Sequence, residues 1–206
     1  MEKIILASNS PRRKEILAKS NIDFTVVKSN YEEESFKFYN ESFIKKNSLY
    51  KALDVARRID YTATVIGADT MVILKEGNSS VCLLKPQNYD EAFSMLKNLS
   101  GKTHKVVTSI SLVKSPDLKD TTETVETFVT FRALEDDEIK KYIEIFNPLD
   151  KAGSYGIQDF LTQELEISPE FKKLMPNCKS FIEKIEGDYF NVMGISLDKL
   201  KEMLKL

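Results

Sequence analysis

The stretch 62-TATVIGADTMVIL-74 is the strongest strand signal in the chain, and the rest is read outward from it. An apolar run of this length, rich in β-branched side chains, reads as a strand buried within a sheet. One carboxylate, Asp69, sits inside it, flanked by Val65, Ile66, Met71 and Val72. An ionised carboxylate there is costly unless it is paired or binds a metal. Gly67 and Ala68 just before it let a ligand approach the backbone. An aspartate bonding its own turn is the plainer alternative, and both readings stand at this point.

Upstream, residues 3–7 (K-I-I-L-A) predict a short buried strand that ends at Ser8-Asn9-Ser10-Pro11. Pro11 suits the first position of a helix capped by Ser10. A second strand is expected over 22–27, an acidic loop over 30–35, and a helix over 41–58 with Phe43, Leu49, Leu53 and Ala56 inward. Downstream, residues 75–78 read as a turn into a strand over 81–84. A helix over 90–99 follows, with Gly101 just past its end. Strands over 105–113 and 124–132 are joined by a polar turn, and helices are expected over 135–146 and 198–204. Early alternation of strands and helices with a late hairpin makes the class α/β with a mixed sheet. No repeat and no linker divides residues 1–206, which read as a single domain.

Composition narrows the chemistry. The 206 residues carry 30 Lys and Arg against 32 Asp and Glu, a formal net charge of −2, and are 42% hydrophobic. That is globular, and it argues against a nucleic-acid polymer as partner, which calls for a basic face. No stretch approaches the roughly 20 apolar residues of a membrane span. Residues 1–7 are too short and too acidic for a signal peptide. Two cysteines, Cys82 and Cys178, exclude a disulfide framework and a Cys-rich zinc site, and the single His104 excludes multi-histidine metal chemistry. An intracellular, cytoplasmic protein working through carboxylates, Lys, Arg and hydroxyls is expected. His104 reads as structural, Cys82 as core, and Cys178 is given no role; the aromatics read as scattered core residues.

Four clusters could carry chemistry. In residues 8–13 (S-N-S-P-R-R), Arg12 and Arg13 fall in the first helical turn, where the dipole disfavours cations. An anion held by backbone N–H groups, hydroxyls and guanidinium forks would account for them, and a solvated helix start is the alternative. Glu32, Glu33 and Glu34 are a solvated loop on their own; together with Asp69 they offer oxygen ligands of the kind Mg²⁺ takes. Residues 150–158 (D-K-A-G-S-Y-G-I-Q) suggest a tight loop beside a ligand or an ordinary turn. Lys51 and Lys85 are isolated further candidates.

Six motifs, in order, resemble the Maf proteins: L-A-S-N-S-P-R-R (6–13), G-A-D-T (67–70), L-K-P (84–86), L-S-G-K-T-H (99–104), D-K-A-G-S-Y-G-I-Q (150–158) and I-E-G-D-Y-F-N-V-M-G (185–194). Each alone is weak; six in sequence over nearly the whole chain are specific. The resemblance implies an elongated mixed β-sheet flanked by helices, with two lobes around a deep cleft, similar to inosine triphosphatases. It implies a nucleoside triphosphate pyrophosphatase, in a family formerly described as septum-formation inhibitors, that cleaves between the α and β phosphates in house-cleaning of the nucleotide pool. A divalent metal is implied too, Mg²⁺ with Mn²⁺ or Co²⁺ as alternatives.

Matched position by position, the resemblance makes Asp69 the general base. Ser8, Arg12 and Arg13 become the phosphate-binding loop, and Glu33 a metal or water ligand beside Asp69. Lys51 and Lys85 match two further lysines, expected with Arg12 and Arg13 to bind substrate by neutralising the triphosphate. Arg12, Thr70 and Gln158 match positions that separate subfamilies, and they resemble the one acting on dTTP and UTP. The 7-methyl-GTP subfamily instead resembles S-P-W-R, G-S-D-Q and a glutamate in place of Gln158. A purine enzyme of the inosine triphosphatase type and a non-catalytic nucleotide-binding regulator of cell division are the alternatives, and an isologous homodimer is the default assembly. Three departures stand out. Leu84 replaces the usual Gly of G-K-P, and Asn30 and Glu32 replace commoner acids. Residues 159–180 form a longer connection, expected as a surface excursion near the cleft or a dimer contact.

Overall fold

The computed structural model describes residues 2–206, and Met1 lies outside them. In chain order the elements are β1 (Lys3–Leu6), α1 (Pro11–Ala18), β2 (Phe24–Val26), α2 (Glu41–Ala56), β3 (Ala63–Glu76), β4 (Ser79–Leu83), α3 (Tyr89–Leu99), β5 (Thr103–Ser115), β6 (Asp120–Phe131), α4 (Asp136–Phe146), α5 (Ile157–Phe160), α6 (Pro169–Leu174), β7 (Ile182–Glu186), α7 (Tyr189–Met193) and α8 (Leu197–Leu204). The strands make one seven-stranded mixed sheet in the order β2-β1-β3-β5-β6-β7, with β4 also on β3. The α/β class read from the sequence is therefore observed.

The decisive strand is the spine of this sheet. One edge of β3 pairs antiparallel with β5 from Ala63 to Ile73. The other edge is shared. β1 runs parallel to it as far as Leu6 opposite Ile66, and β4 takes over antiparallel only at Val72 opposite Leu83. Between these two partners, residues 67–71 have no strand on that edge among the described residues. The sheet is notched there, just beyond the carboxyl end of a parallel strand. Ligands of α/β sheets characteristically bind at such a place.

Strand alternation sorts the side chains of β3. Ile66, Ala68, Val72 and Leu74 enter the main core, together with α1, α3, α4 and the C-terminal helices. Val65 packs under α2 with Ala52, Val55 and Ala56, while Met71 and Ile73 join Ile44, Cys82 and Val107 on the same face. Helix α2 comes very close to the strand at Gly67. A Cβ there would lie 2.1 Å from the Ser48 carbonyl oxygen and 2.9 Å from the Ala52 nitrogen. The glycine is required by space, and it lets α2 bring polar residues against the strand.

That close approach corrects the inward face expected for α2. The buried residues are Ile44, Asn47, Ser48, Lys51, Ala52, Val55 and Ala56, while Phe43, Leu49 and Leu53 are only partly buried. The stripe facing the sheet mixes core residues (Ile44, Ala52, Val55 and the expected Ala56) with Asn47, Ser48 and Lys51 where it meets the notch, so apolar periodicity found only part of it. Ser10 occupies the N-cap position of α1, but its side chain makes no cap. Its backbone N–H instead donates to Ser8 Oγ at 3.2 Å. Residues 159–180 are also not a mere surface excursion: Phe160, Phe171 and Met175 are buried in the main core. The aromatics converge rather than scatter, with Tyr142, Phe160, Phe171 and Phe181 stacked or tilted against one another.

Candidate active site

At the notch, Asp69 points to the α2 face and Thr70 to the opposite face, and both line the cleft. Asp69 is buried at 6% exposure, so its charge needs partners. They come from α2, one turn apart. Lys51 Nζ donates to Asp69 Oδ1 at 2.8 Å, and Asn47 Nδ2 donates to Oδ2 at 3.0 Å. Each carboxylate oxygen thus keeps a further lone pair. The general-base reading needs such a capacity, and it disposes of the plainer alternative of an aspartate bonding its own turn.

Lys51 and Asn47 also hold the acidic loop. Lys51 Nζ lies 2.7 Å from Glu33 Oε1, so one ammonium joins Glu33 to Asp69. Asn47 donates to the Glu34 carbonyl at 2.9 Å and accepts from the Glu34 N–H at 3.1 Å and the Tyr31 hydroxyl at 3.3 Å. Burial works to raise the Glu33 pKa; Lys51, Lys85 and Arg13 outweigh it, and the carboxyl is held below its ordinary value. Glu32 is exposed, and Glu34 pairs outward with Lys46. Of the acidic trio only Glu33 lines the notch beside Asp69 in the main cleft.

The two arginines, adjacent in sequence, part in space. Arg13 is buried. Its Nε donates to the Gly194 carbonyl at 2.9 Å, and its terminal nitrogens reach Thr70 Oγ1 at 3.1 Å and Ser8 Oγ at 3.5 Å. Burial lowers its pKa, opposed by Asp69 and Glu33. Thr70 is held in turn by Thr108, 2.9 Å away. Because the Thr108 proton goes to the Asn191 carbonyl, Thr70 is the donor in that pair. Arg12 turns to the far wall and pairs with Asp150 at 2.6 Å. Asp150 also takes Lys151 at 3.0 Å. Lys85 makes no ion pair among the described residues while lining the cleft, so it is an uncommitted cation there. Leu84 packs its side chain against the Ile44 cluster, and its carbonyl accepts from the Gly153 N–H at 3.3 Å. The substitution for glycine therefore leaves Lys85 in the cleft.

The loop 150–158 forms the far wall. Gly153 has φ +68°, and a Cβ on it would press on Val72, so glycine is required there twice over. Tyr155, Val72, Val192 and Met193 make an apolar lining, with Gln158 at its end. Tyr155 is supported from behind by His104, whose Nε2 lies 2.7 Å from the phenol oxygen. Burial pushes His104 down to about 3 and the tyrosine up, so both stay neutral. Sequence reasoning missed Asn47 and Thr108, and gave Asp150 no role of its own within the 150–158 cluster. For Asn47 a signal existed: it lies four residues before Lys51 on one helix face.

All nine sequence-predicted site residues line one or more of three adjoining pockets that share Glu33 and Lys85. Whether they suit a divalent cation can be judged from the oxygens. Asp69 Oδ1 and Glu33 Oε1 already converge on one positive point, the Lys51 ammonium. Among the described residues no group of three or more His, Cys, Asp or Glu forms a cation cage. Two carboxylates without a cage fit a hard cation that is completed by substrate phosphates.

Comparison with known proteins shows what the chain resembles. A family model described as Maf-like protein matches residues 3–168. The dTTP/UTP pyrophosphatase of Thermoanaerobacter sp. (strain X514) is 41% identical over 203 residues, 98% of this chain and 95% of that one. The dTTP/UTP pyrophosphatase of Clostridium perfringens (strain SM101 / Type A) is 40% identical over 205 residues, 98% and 96% of the two chains. The Ham1 protein of Staphylococcus aureus superposes with a TM-score of 0.55 at 14% identity over 99% of this chain and 98% of its own, which is a likeness of fold.

Proposed function

The chain belongs to the Maf-like protein family, and from that premise we propose that its notch hydrolyses dTTP and UTP to the monophosphate and pyrophosphate. The observation that carries the reading is Asp69, buried at the break in the sheet and held on both oxygens from α2, opposite Arg12, Arg13 and Lys85. Phosphoryl transfer asks a protein for positioning and charge neutralisation more than for covalent chemistry. Arg12, Arg13 and Lys85 neutralise the triphosphate, and Ser8 adds a hydroxyl. Asp69 orients a water toward the α phosphorus and takes its proton. One P–O bond forms and the α–β bridge breaks, so pyrophosphate leaves with its electron pair. Asp69 and Glu33 would hold a divalent cation together with the phosphates; when bound it supplies Lewis-acid neutralisation of the developing charge. Lys51 keeps the two carboxylates together. Gln158 shapes the base end, with Tyr155, Val192 and Met193, and Thr70 lines the same cleft while bonded to Arg13.

Among the described residues no helix is long and apolar enough to cross a membrane. A cytoplasmic enzyme drawing on the free nucleotide pool, with no polymer or membrane partner, fits this reading, and a homodimer remains the assembly to look for. The experiment is pyrophosphate release from a panel of nucleoside triphosphates with Mg²⁺, Mn²⁺ or Co²⁺ or with chelator. Release from dTTP and UTP that chelator abolishes is the expected result. Preference for ITP or XTP, or binding without release, would overturn it.

A further inference from the structure

Gln158 has one half of its amide committed and the other not. Its Nε2 donates to Asp159 Oδ1 at 3.1 Å, while its Oε1 is buried without a hydrogen-bond partner. An amide can present either end with almost the same shape, so something must choose. Asp159 makes the choice, because an ionised carboxylate only accepts. Asp159 is itself fixed: its Oδ2 accepts from the Tyr142 hydroxyl at 2.6 Å, and the Tyr142 oxygen accepts from the Gly156 N–H at 3.3 Å. Space enforces the same placement. A Cβ on Gly156 would lie 2.4 Å from Gln158 Nε2, so the amide rests on the bare glycine. Gln158, Gly156 and Tyr155 all line the cleft.

We propose that Asp159 is a positioning residue for base recognition: by holding the Gln158 NH₂ group, it leaves the amide oxygen as the acceptor the base must satisfy. This rests on the assignment of Gln158 to the base end. The only donor on the pairing edge of uracil or thymine is N3–H, which an acceptor can take. Cytosine in the same placement presents N3 as a second acceptor, and two acceptors face one another. A buried polar group left unpaired is what makes such sites discriminate.

The test is kcat/KM for UTP and for CTP in the wild type, Asp159→Asn, Asp159→Glu and Gly156→Ala. The amide introduced by Asp159→Asn can donate to Gln158 and lets the Gln158 amide turn over. The UTP-to-CTP ratio should fall at least tenfold in Asp159→Asn, through loss on UTP and gain on CTP, and recover in part in Asp159→Glu. Gly156→Ala leaves the Asp159 carboxylate in place as an acceptor but crowds the Gln158 amide first, at 2.4 Å, and Asp159 Oδ2 less, at 3.0 Å; it should lower the ratio in the same direction, so the test does not hang on one variant folding. Equal losses on both nucleotides, with the ratio unchanged, would make Asp159 a structural residue only. A wild type that turns over UTP and CTP equally also overturns the inference while leaving the hydrolase standing. No release from any nucleotide removes the hydrolase reading, and the inference with it.

Discussion

The two ends of the cleft are built on opposite principles. At the end proposed as catalytic the buried charges already have partners: Asp69 has Lys51 and Asn47, and Arg13 has Gly194, Thr70 and Ser8, while the more exposed Glu33 shares Lys51. At the base end the lining is apolar and one buried acceptor, Gln158 Oε1, has none. A charged centre can be preorganised only if its charges are compensated before substrate comes, since each would otherwise be costly to bury. A selective pocket gains from the reverse, a group that is satisfied only by the right ligand.

Breaking the first end should therefore cost turnover on every nucleotide. Asp69→Asn is expected to lower kcat about 10²- to 10⁴-fold on dTTP and UTP alike with little change in KM. Comparable turnover would remove Asp69 from the base role. Asn47→Ala strips a donor from Asp69 and three bonds from the acidic loop. It should destabilise the fold by about 1–3 kcal/mol and lower kcat more than it raises KM, read by denaturant midpoint and steady-state kinetics. Gly67→Ala should cost a similar ~1–3 kcal/mol, because α2 must back away from the strand.

Loss at the second end should be smaller and selective. Gln158→Leu removes one hydrogen bond, worth about 0.5–1.5 kcal/mol, so kcat/KM for UTP should drop roughly threefold to tenfold with kcat nearly intact. A uniform loss across all bases would blur the contrast between the ends.

His104 behind the apolar wall has no effect near neutral pH and shows itself only in acid. Above about pH 6.5 folded and unfolded chains both carry neutral imidazole, so it adds no pH dependence. Below that the unfolded chain takes up the proton, while the buried ring resists down to about 3. Stability should thus fall as pH falls through that window, by about 1.4 kcal/mol per pH unit from this group. In His104→Gln the acid limb of a pH–stability curve should be shallower by that amount.

How legible all this was varied with what each residue answers to. β3 could be read directly, because a strand buried on both faces shows itself as a continuous apolar run. β7 went unread: I-E-K-I-E is short and charged, as an edge strand is, and only pairing with β6 defines it. The face of α2 was read only in part, with Ala56 inward as expected, because Asn47, Ser48 and Lys51 on the same face answer to Gly67 and Asp69 and break the apolar periodicity. For the site, local chemistry left each cluster with two readings. Resemblance chose Asp69, Lys51, Glu33 and the arginines, and the fold then placed them around one notch. Asn47 belonged to neither source: its spacing of four residues before Lys51 placed it on the same helix face, but that spacing names no role, and the two oxygens of Asp69 reveal it.

The Arg12–Asp150 contact has a consequence for entry. It joins the first helix to the far wall, with the aspartate about half exposed, and such pairs are worth under about 1 kcal/mol. A triphosphate outcompetes one carboxylate for that guanidinium. Asp150, once displaced, still has Lys151 at 3.0 Å to turn to. On the proposed function Asp150 would be a place-holder for the phosphates: a polyanion could trade places with it at small cost, and an uncharged nucleoside could not.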